Sequence, residues 1–139
     1  MLCPSAQPTT EGATLLGVVA PTDEGRRVAY LREPVTVEEA LLERTRPVPA
    51  MQVLRFSAAC QQTRCAHFDG SDCRLAERIV RFMPAVVDTL PAFIIRARCR
   101  WFRQEGRPEC LRCPQVVTST ADPDPVLLEV ARPRQDVSV

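Results

Sequence analysis

The chain has 139 residues, of which 18 are basic, all of them arginine, and 17 are acidic, so its net charge is near zero. This length suits a single domain, and no apolar run reaches the ~18 residues that a membrane-spanning helix needs. The chain does not begin with a basic segment followed by an apolar run. We therefore expect no secretory signal and a cytoplasmic location, where clustered cysteines indicate metal binding rather than disulfides.

The composition predicts one folded domain between two mobile tails. Residues 1–12 and 121–139 are polar and rich in proline, and such segments bury little apolar area. The domain is then predicted to cover residues 13–120. Its predicted fold class is α+β, with an N-terminal β-hairpin and helix followed by a mainly helical, metal-stapled, cysteine-rich half.

The first predicted element is a β-hairpin. Residues 14–20 are apolar and partly β-branched, residues 21–25 have the composition of a turn, and residues 26–31 again favour a strand. The pattern indicates two antiparallel strands at the start of the domain.

A short helix is predicted next. Thr36 and Glu39 have the spacing of a capping box, in which the hydroxyl and the carboxylate each satisfy a free backbone N–H group. We expect this helix to end before Pro47. Residues 51–56 are then predicted to form a strand that leads into the first cysteines.

The second half begins with a stronger helical pattern. After Cys73, the apolar side chains of Leu75, Ile79 and Phe82 recur on one helical face, while arginines and a glutamate occupy the other. Pro84 is predicted to break this helix because proline cannot donate the backbone hydrogen bond that would continue it.

Three further elements are predicted after Pro84. Residues 85–90 are expected to add a helical turn or two, and residues 98–105 a second short helix with Gly106 as its C-terminal cap. Pro108 suits the first position of the turn that follows. Residues 116–118 are predicted as a closing strand.

Six of the seven cysteines form the candidate site. They fall into two groups of three, which are Cys60, Cys65 and Cys73, and Cys99, Cys110 and Cys113. The last two have the C-x2-C spacing that lets two thiolates bind one ion or one cluster. Polar neighbours argue against the alternative that these cysteines are small buried apolar residues. Cys3 stands alone in a predicted tail and is not assigned to the site.

The spacings favour an iron–sulfur cluster over zinc. A structural zinc site commonly combines two C-x2-4-C knuckles, whereas only one such knuckle is present here. The wider C-x4-C and C-x7-C spacings suit a [4Fe–4S] cluster, which binds four thiolates. His67, the only histidine, is a further candidate, either as a ligand or as a hydrogen-bond donor to a cysteine sulfur.

We expect the two groups to meet at one shared site, because neither supplies four thiols. Two functions remain open. The first is an iron–sulfur protein in electron transfer, redox sensing or an accessory role beside a protein partner. With no nucleophile elbow or phosphate-binding loop, it is not expected to be an enzyme.

The alternative is a zinc-stapled interaction module that presents an arginine-rich face to nucleic acid or to an acidic protein. Residues 55–112 carry eleven arginines and six acidic residues. Interspersed acidic groups and few aromatic side chains weaken the case for nucleic acid. The face would comprise Arg64, Arg74, Arg78, Arg81, Arg96, Arg98, Arg100, Arg103 and Arg112.

Overall fold

A computed structural model describes residues 1–117 and 125–132. Its fold class is α+β, as predicted, with a four-stranded antiparallel sheet and several short helices. The strands are β1 (Leu2–Ala6), β2 (Thr14–Thr22), β3 (Gly25–Thr36) and β4 (Leu54–Ala59). The helices are α1 (Glu39–Glu43), α2 (Ala50–Val53), α3 (Arg74–Phe82), α4 (Arg100–Glu105), α5 (Arg107–Arg112) and α6 (Pro125–Val130).

The predicted β-hairpin is confirmed as β2 and β3, and it is longer than expected. The strands pair from Thr22 opposite Gly25 to Thr14 opposite Thr36, with an irregularity between Leu15 and Gly17. Gly25 has φ +115°, a left-handed conformation that glycine adopts without steric cost. The pairing with β2 carries β3 well beyond the predicted end at residue 31.

The predicted capping box is wrong. Thr36 is the last residue of β3, and the residue that precedes α1 is Glu38, which makes no side-chain capping bond. The predicted helix exists, but it is limited to Glu39–Glu43. Tertiary pairing with β2 therefore outweighs the local capping preference of Thr36.

The strand predicted for residues 51–56 is displaced. Ala50–Val53 form α2, and β4 begins at Leu54. The strand order is β1-β4-β2-β3, which makes β4 an inner strand. Leu54 and Phe56 pack with apolar side chains of the α1–α2 region. Arg55, whose side chain is also buried, points to the opposite face.

The prediction that residues 1–12 lie outside the folded domain is wrong for Leu2–Ala6. These residues form β1, which pairs with β4 in a register that sets Cys3 opposite Ala58. Pro4 is fully buried, and its carbonyl oxygen accepts a hydrogen bond from Arg55 at 2.7 Å. A sheet edge orders a neighbouring segment through backbone hydrogen bonds, so the polar composition of this segment did not reveal its pairing.

The helical half agrees with the prediction in α3 and α4. Helix α3 ends before Pro84, and Gly106 follows α4 with φ +75°. Residues 85–90 are not helical, because the backbone N–H groups of Val86 and Val87 bond to the Leu111 carbonyl instead.

Two further predictions for this half can be compared with the structure. Pro108 lies in the first turn of α5, as expected. Val116 and Val117 are buried but form no strand, while Thr118, the third residue of the predicted closing strand, lies outside the described residues. Val116 and Val117 therefore join the core by side-chain packing and not by strand pairing.

Part of the predicted C-terminal tail also belongs to the folded domain. Helix α6 packs on α3, Val130 is 1% exposed, and its carbonyl accepts a hydrogen bond from Arg78 at 2.8 Å. The other residues of that tail, apart from Ala131 and Arg132, lie outside the described part of the chain.

The sheet has packed layers on both faces. Leu16 of β2 belongs to the largest core cluster, together with side chains of α3 and α4 such as Ile79 and Trp101. The other face packs against α1 and α2. Across residues 1–117 and 125–132, no helix has the length and apolar character to cross a membrane.

Candidate metal centre

The first part of the candidate site is built where β1 meets the end of β4. Cys60 directly follows β4, and its backbone N–H donates to the Met1 carbonyl at 2.9 Å. Because Cys3 lies on the adjacent strand, opposite Ala58, the sheet brings the Cys3 thiol close to the first cysteine group. Cys3 was not assigned to the site from the sequence.

The segment between Cys65 and Cys73, which has the C-x7-C spacing, forms a tight loop. The Asp69 carboxylate accepts backbone N–H bonds from Ser71 and Asp72 at 3.0 and 2.8 Å, and these bonds lower the pKa of Asp69, that of Asp72 most. The turn pairs Phe68 with Cys73 as an isolated bridge. The turn therefore brings Cys73 back to Phe68, which lies three residues after Cys65 in the chain.

The side chain of Gln104, on α4, fixes the backbone of Cys73. Its Oε1 accepts the Cys73 N–H at 2.8 Å, and its Nε2 donates to the Cys73 carbonyl, also at 2.8 Å. Both hydrogen bonds are partly buried. They set the position of Cys73, which directly precedes α3, against a helix 31 residues further along the chain.

We expect Gln104→Leu to lower the free energy of unfolding by about 1–3 kcal/mol, because it leaves the half-buried Cys73 N–H without a partner. The Cys73 carbonyl loses its shorter hydrogen bond and keeps the one from the Glu77 N–H, at 3.4 Å. Urea denaturation and hydrogen exchange at the Cys73 amide measure the effect. The matched control is Gln115→Leu, which removes a single exposed hydrogen bond to Pro84. Equal effects of the two substitutions would show that Gln104 does not hold Cys73.

The thiols line one cavity of about 570 Å³. The cysteines on its wall are Cys3, Cys60, Cys65 and Cys73. His67 and Trp101 also line it, and residues of α6 close one side through Leu127 and Val130. Residues of β1, of the first cysteine group and of α6 thus line the same cavity.

Burial makes two of these thiols, Cys3 and Cys73, hard to ionise in the absence of a bound cation. The pKa of Cys3 is raised to about 12, mainly by burial and to a smaller extent by the neighbouring sulfurs of Cys73, Cys60 and Cys65, against one backbone N–H at Ser5. Burial also raises the pKa of Cys73. Binding of a cationic group would have to release these protons, since the thiolate is the metal ligand.

Hydrogen-bond donors face the sulfurs at the cavity. The Arg100 Nε donates to Cys60 Sγ at 3.0 Å, and Arg100 is itself buried. The Trp101 side chain donates to Cys73 and lowers the pKa of that thiol, although burial outweighs it. Donors of this kind orient metal-bound thiolates and tune the metal.

Two cysteines of the second group, Cys113 and Cys99, lie beside a different residue, the buried Arg55. The Nη2 of Arg55 donates to Cys113 Sγ at 2.9 Å, and its Nη1 donates to the Cys113 carbonyl at 2.8 Å. Burial, the largest single effect, disfavours the charged guanidinium, but the effects of Cys113, Tyr30 and Cys99 together outweigh it and raise the pKa of Arg55. Burial raises the pKa of Cys99 to about 12 and also that of Cys110.

Beside this second group lies a buried carboxyl. Glu109 is 1% exposed, and neither of its carboxyl oxygens has a hydrogen-bond partner in the described part of the chain. Burial and the negative charge of Glu105 raise the pKa of Glu109 to about 9, against smaller effects of Arg55 and Arg112. Glu109 is therefore neutral at physiological pH.

The structure does not bring the six predicted cysteines to one place. None of Cys99, Cys110 and Cys113 lines the cavity that holds the first group. Trp101 links the two regions: it faces Cys73, and the Arg55 guanidinium lies 5.6 Å from the centre of its ring. Within residues 1–117 and 125–132, no set of three or more histidine, cysteine, aspartate or glutamate side chains is placed to hold one metal ion.

The arginines of the predicted cationic face are used largely inside the protein. Arg78, Arg96 and Arg112 donate to backbone carbonyls, those of Val130, Pro91 and Met83 respectively. Arg100 binds a sulfur and Arg103 a further carbonyl. These five side chains hold loops and helices together. The other four arginines of the predicted face, Arg64, Arg74, Arg81 and Arg98, are exposed.

Comparison of the chain with protein-family models, with curated proteins and with solved structures finds no match.

Four residues of the site region were missed in the sequence. Cys3 lay in a segment of tail-like composition, and Arg55, Gln104 and Glu109 carried no motif. One signal was present: Cys3 has an apolar residue on one side and a proline on the other, and Ala6 follows, a short run that can pair as an edge strand. Arg55, Gln104 and Glu109 acquire their roles only through contacts with distant segments.

Proposed function

We propose that this chain is a small iron–sulfur protein whose cluster, of the [4Fe–4S] type, is bound in the cavity by four thiolates. The ligands are Cys3, Cys60, Cys65 and Cys73. The single observation that carries the proposal is that these four thiols, from three separate segments, line one cavity of about 570 Å³. A [4Fe–4S] cluster takes four cysteine ligands, and the predicted first group supplies three of them.

The size of the cavity supports a cluster rather than a single ion. A water molecule takes about 30 Å³ of liquid volume, so the cavity has room for an object of many atoms. A zinc ion would draw four sulfurs to about 2.3 Å from one point. The thiols instead stand around an open space, which suits ligands that bind separate irons of one cluster.

The charges around the cavity also support the proposal. A cluster with four thiolates is anionic, and Arg100 places a buried positive charge beside Cys60. Trp101 adds a neutral donor at Cys73. Such donors and charges are among the factors that set the reduction potential of iron–sulfur clusters.

The cluster, when bound, would accept and release single electrons. The chain itself supplies the four ligands, the donors that orient their sulfurs and the helix α6 that covers one side of the cavity. We propose electron transfer, redox sensing or an accessory role in a larger enzyme as its use, with a protein as the partner.

The test is anaerobic purification with analysis of iron, acid-labile sulfide and zinc. We expect a brown protein with about four irons and four sulfides per chain. Cys3→Ser and Cys65→Ser are each expected to abolish iron binding. The matched control is Cys110→Ser, in the second group, which is expected to keep the iron.

Three results would contradict the proposal. A colourless chain with one zinc ion would favour the zinc-stapled module instead. If Cys3→Ser kept its full iron content, the N-terminal strand would not supply a ligand to the cluster. If Cys110→Ser lost iron while its circular dichroism remained unchanged, the two cysteine groups would share the cluster after all.

A further inference from the structure

Arg78 determines which ring nitrogen of His67, the only histidine of the chain, accepts a hydrogen bond. Arg78 Nη2 lies 2.9 Å from His67 Nδ1. A guanidinium group has donors and no acceptor, so Nδ1 must accept this hydrogen bond. A neutral imidazole whose Nδ1 accepts carries its proton on Nε2.

Arg78 is held in place by a second contact. Its Nε donates to the Val130 carbonyl at 2.8 Å, and this bond connects α3 with α6. The guanidinium is thus anchored at one nitrogen and directed at His67 by another.

His67 lines the cavity together with the four cysteines, and it lies two residues after Cys65. Within the described residues, His67 Nε2 has no hydrogen-bond partner. The ring therefore offers an N–H group to the space in which we place the cluster.

We propose that His67 is a hydrogen-bond donor to the bound cluster, through Nε2–H, and not one of its ligands. This inference rests on the proposed function. A ring nitrogen that carries a proton has no free lone pair for a metal, whereas it can donate to a thiolate or sulfide sulfur. His67 then acts as a third donor beside Arg100 and Trp101.

Such a donor has a defined effect on the reduction potential. Reduction adds negative charge to the cluster, and a donor to sulfur stabilises the more negative state more strongly. Hydrogen bonds to the sulfurs are one of the factors that set cluster potentials. Loss of the His67 donor therefore shifts the potential to a more negative value without removing iron.

The first arm of the test is nitrogen-15 spectroscopy of the full chain, before and after loading with iron and sulfide. Because the chain has one histidine, its ring signals are unambiguous. We expect the Nε2–H tautomer at neutral pH in both forms. An Nδ1–H tautomer, or an imidazolium ring, would overturn the assignment.

The second arm measures iron content and midpoint potential in two variants of the loaded protein. We expect His67→Leu to keep the iron and to shift the potential to a more negative value. His67→Gln, whose side-chain amide lies near the position of Nε2, should restore part of the shift. Loss of iron from His67→Leu with unchanged circular dichroism would make His67 a ligand and overturn the proposal.

The outcomes separate this inference from the proposed function. A wild-type chain that binds no iron would overturn the cluster and, with it, the donor role. An iron-loaded wild type whose potential equals that of His67→Leu would overturn the donor role alone.

Discussion

Replacing Arg55 by leucine is expected to lower the free energy of unfolding by about 3–5 kcal/mol, because four buried hydrogen bonds from a charged donor, each contributing about 1.5–3 kcal/mol, are lost, while the cost of burying the guanidinium is relieved. Arg55 is fully buried. Its guanidinium joins β1 to the segment after α5, because it donates to the carbonyls of Pro4, Cys113 and Val116 and to the sulfur of Cys113. Leucine would remove all four of these hydrogen bonds, and of the acceptors the Cys113 carbonyl keeps the backbone N–H of Val116, at 3.0 Å.

Urea denaturation under reducing conditions measures the effect. The matched control is Arg26→Leu, because Arg26 is exposed and makes one surface hydrogen bond, to Gln52 at 3.0 Å. We expect that control to change stability by about 0.5 kcal/mol or less. Arg55→Lys should fall between the two, since lysine keeps the charge but not the planar fork of donors. A loss of less than about 1 kcal/mol in Arg55→Leu would show that these carbonyls find other donors.

Glu109→Gln is expected to stabilise the protein at neutral pH and to have a much smaller effect in acid. Burial holds the pKa of Glu109 at about 9, above its ordinary value of 4.5. Below the unfolded-state value, both states keep the proton. As the pH rises from there towards 9, only the unfolded state loses it, so stability falls by about 1.4 kcal/mol per pH unit.

The expected difference between Glu109→Gln and the wild type therefore grows by roughly 3 kcal/mol between pH 4.5 and pH 7, because glutamine has no proton to lose. Urea denaturation at both pH values measures it. Glu33→Gln, at an exposed position of β3, controls for the removal of one negative charge. A difference that stays constant with pH would mean that the Glu109 carboxyl is ionised in the folded protein and has a partner there.

Charge and burial are distributed differently at the two cysteine groups. The first group surrounds a cavity, with one arginine at a sulfur. Two cysteines of the second group lie beside Arg55, and each cysteine of that group is at most 3% exposed. A cavity can take in a ligand, whereas a packed cluster of side chains stabilises the fold. This contrast is why we propose that the first group and Cys3, rather than the second group, bind the iron–sulfur cluster.

The amino-acid sequence by itself determined the elements whose signals are local. The hairpin of β2 and β3, helix α3 with its end before Pro84, and helix α4 with Gly106 were all predicted, because a period of two or 3.6 residues, a proline and a glycine act within one element. The same reasoning singled out Cys60, Cys65, Cys73 and His67, which the structure places on one cavity.

Only the tertiary structure decided which other residues join them. Cys3 reaches the cavity because β1 pairs with β4 more than 50 residues away, in a register that sets Cys3 opposite Ala58. Gln104 contacts Cys73 across 31 residues of the chain, and Arg55 contacts Cys113 across 58. Such contacts depend on which faces and edges meet when the whole chain packs. Local propensity does not encode these contacts. For this reason the polar composition of residues 1–12 did not indicate strand β1, and the position of Arg55 in a predicted strand did not indicate its buried hydrogen bonds.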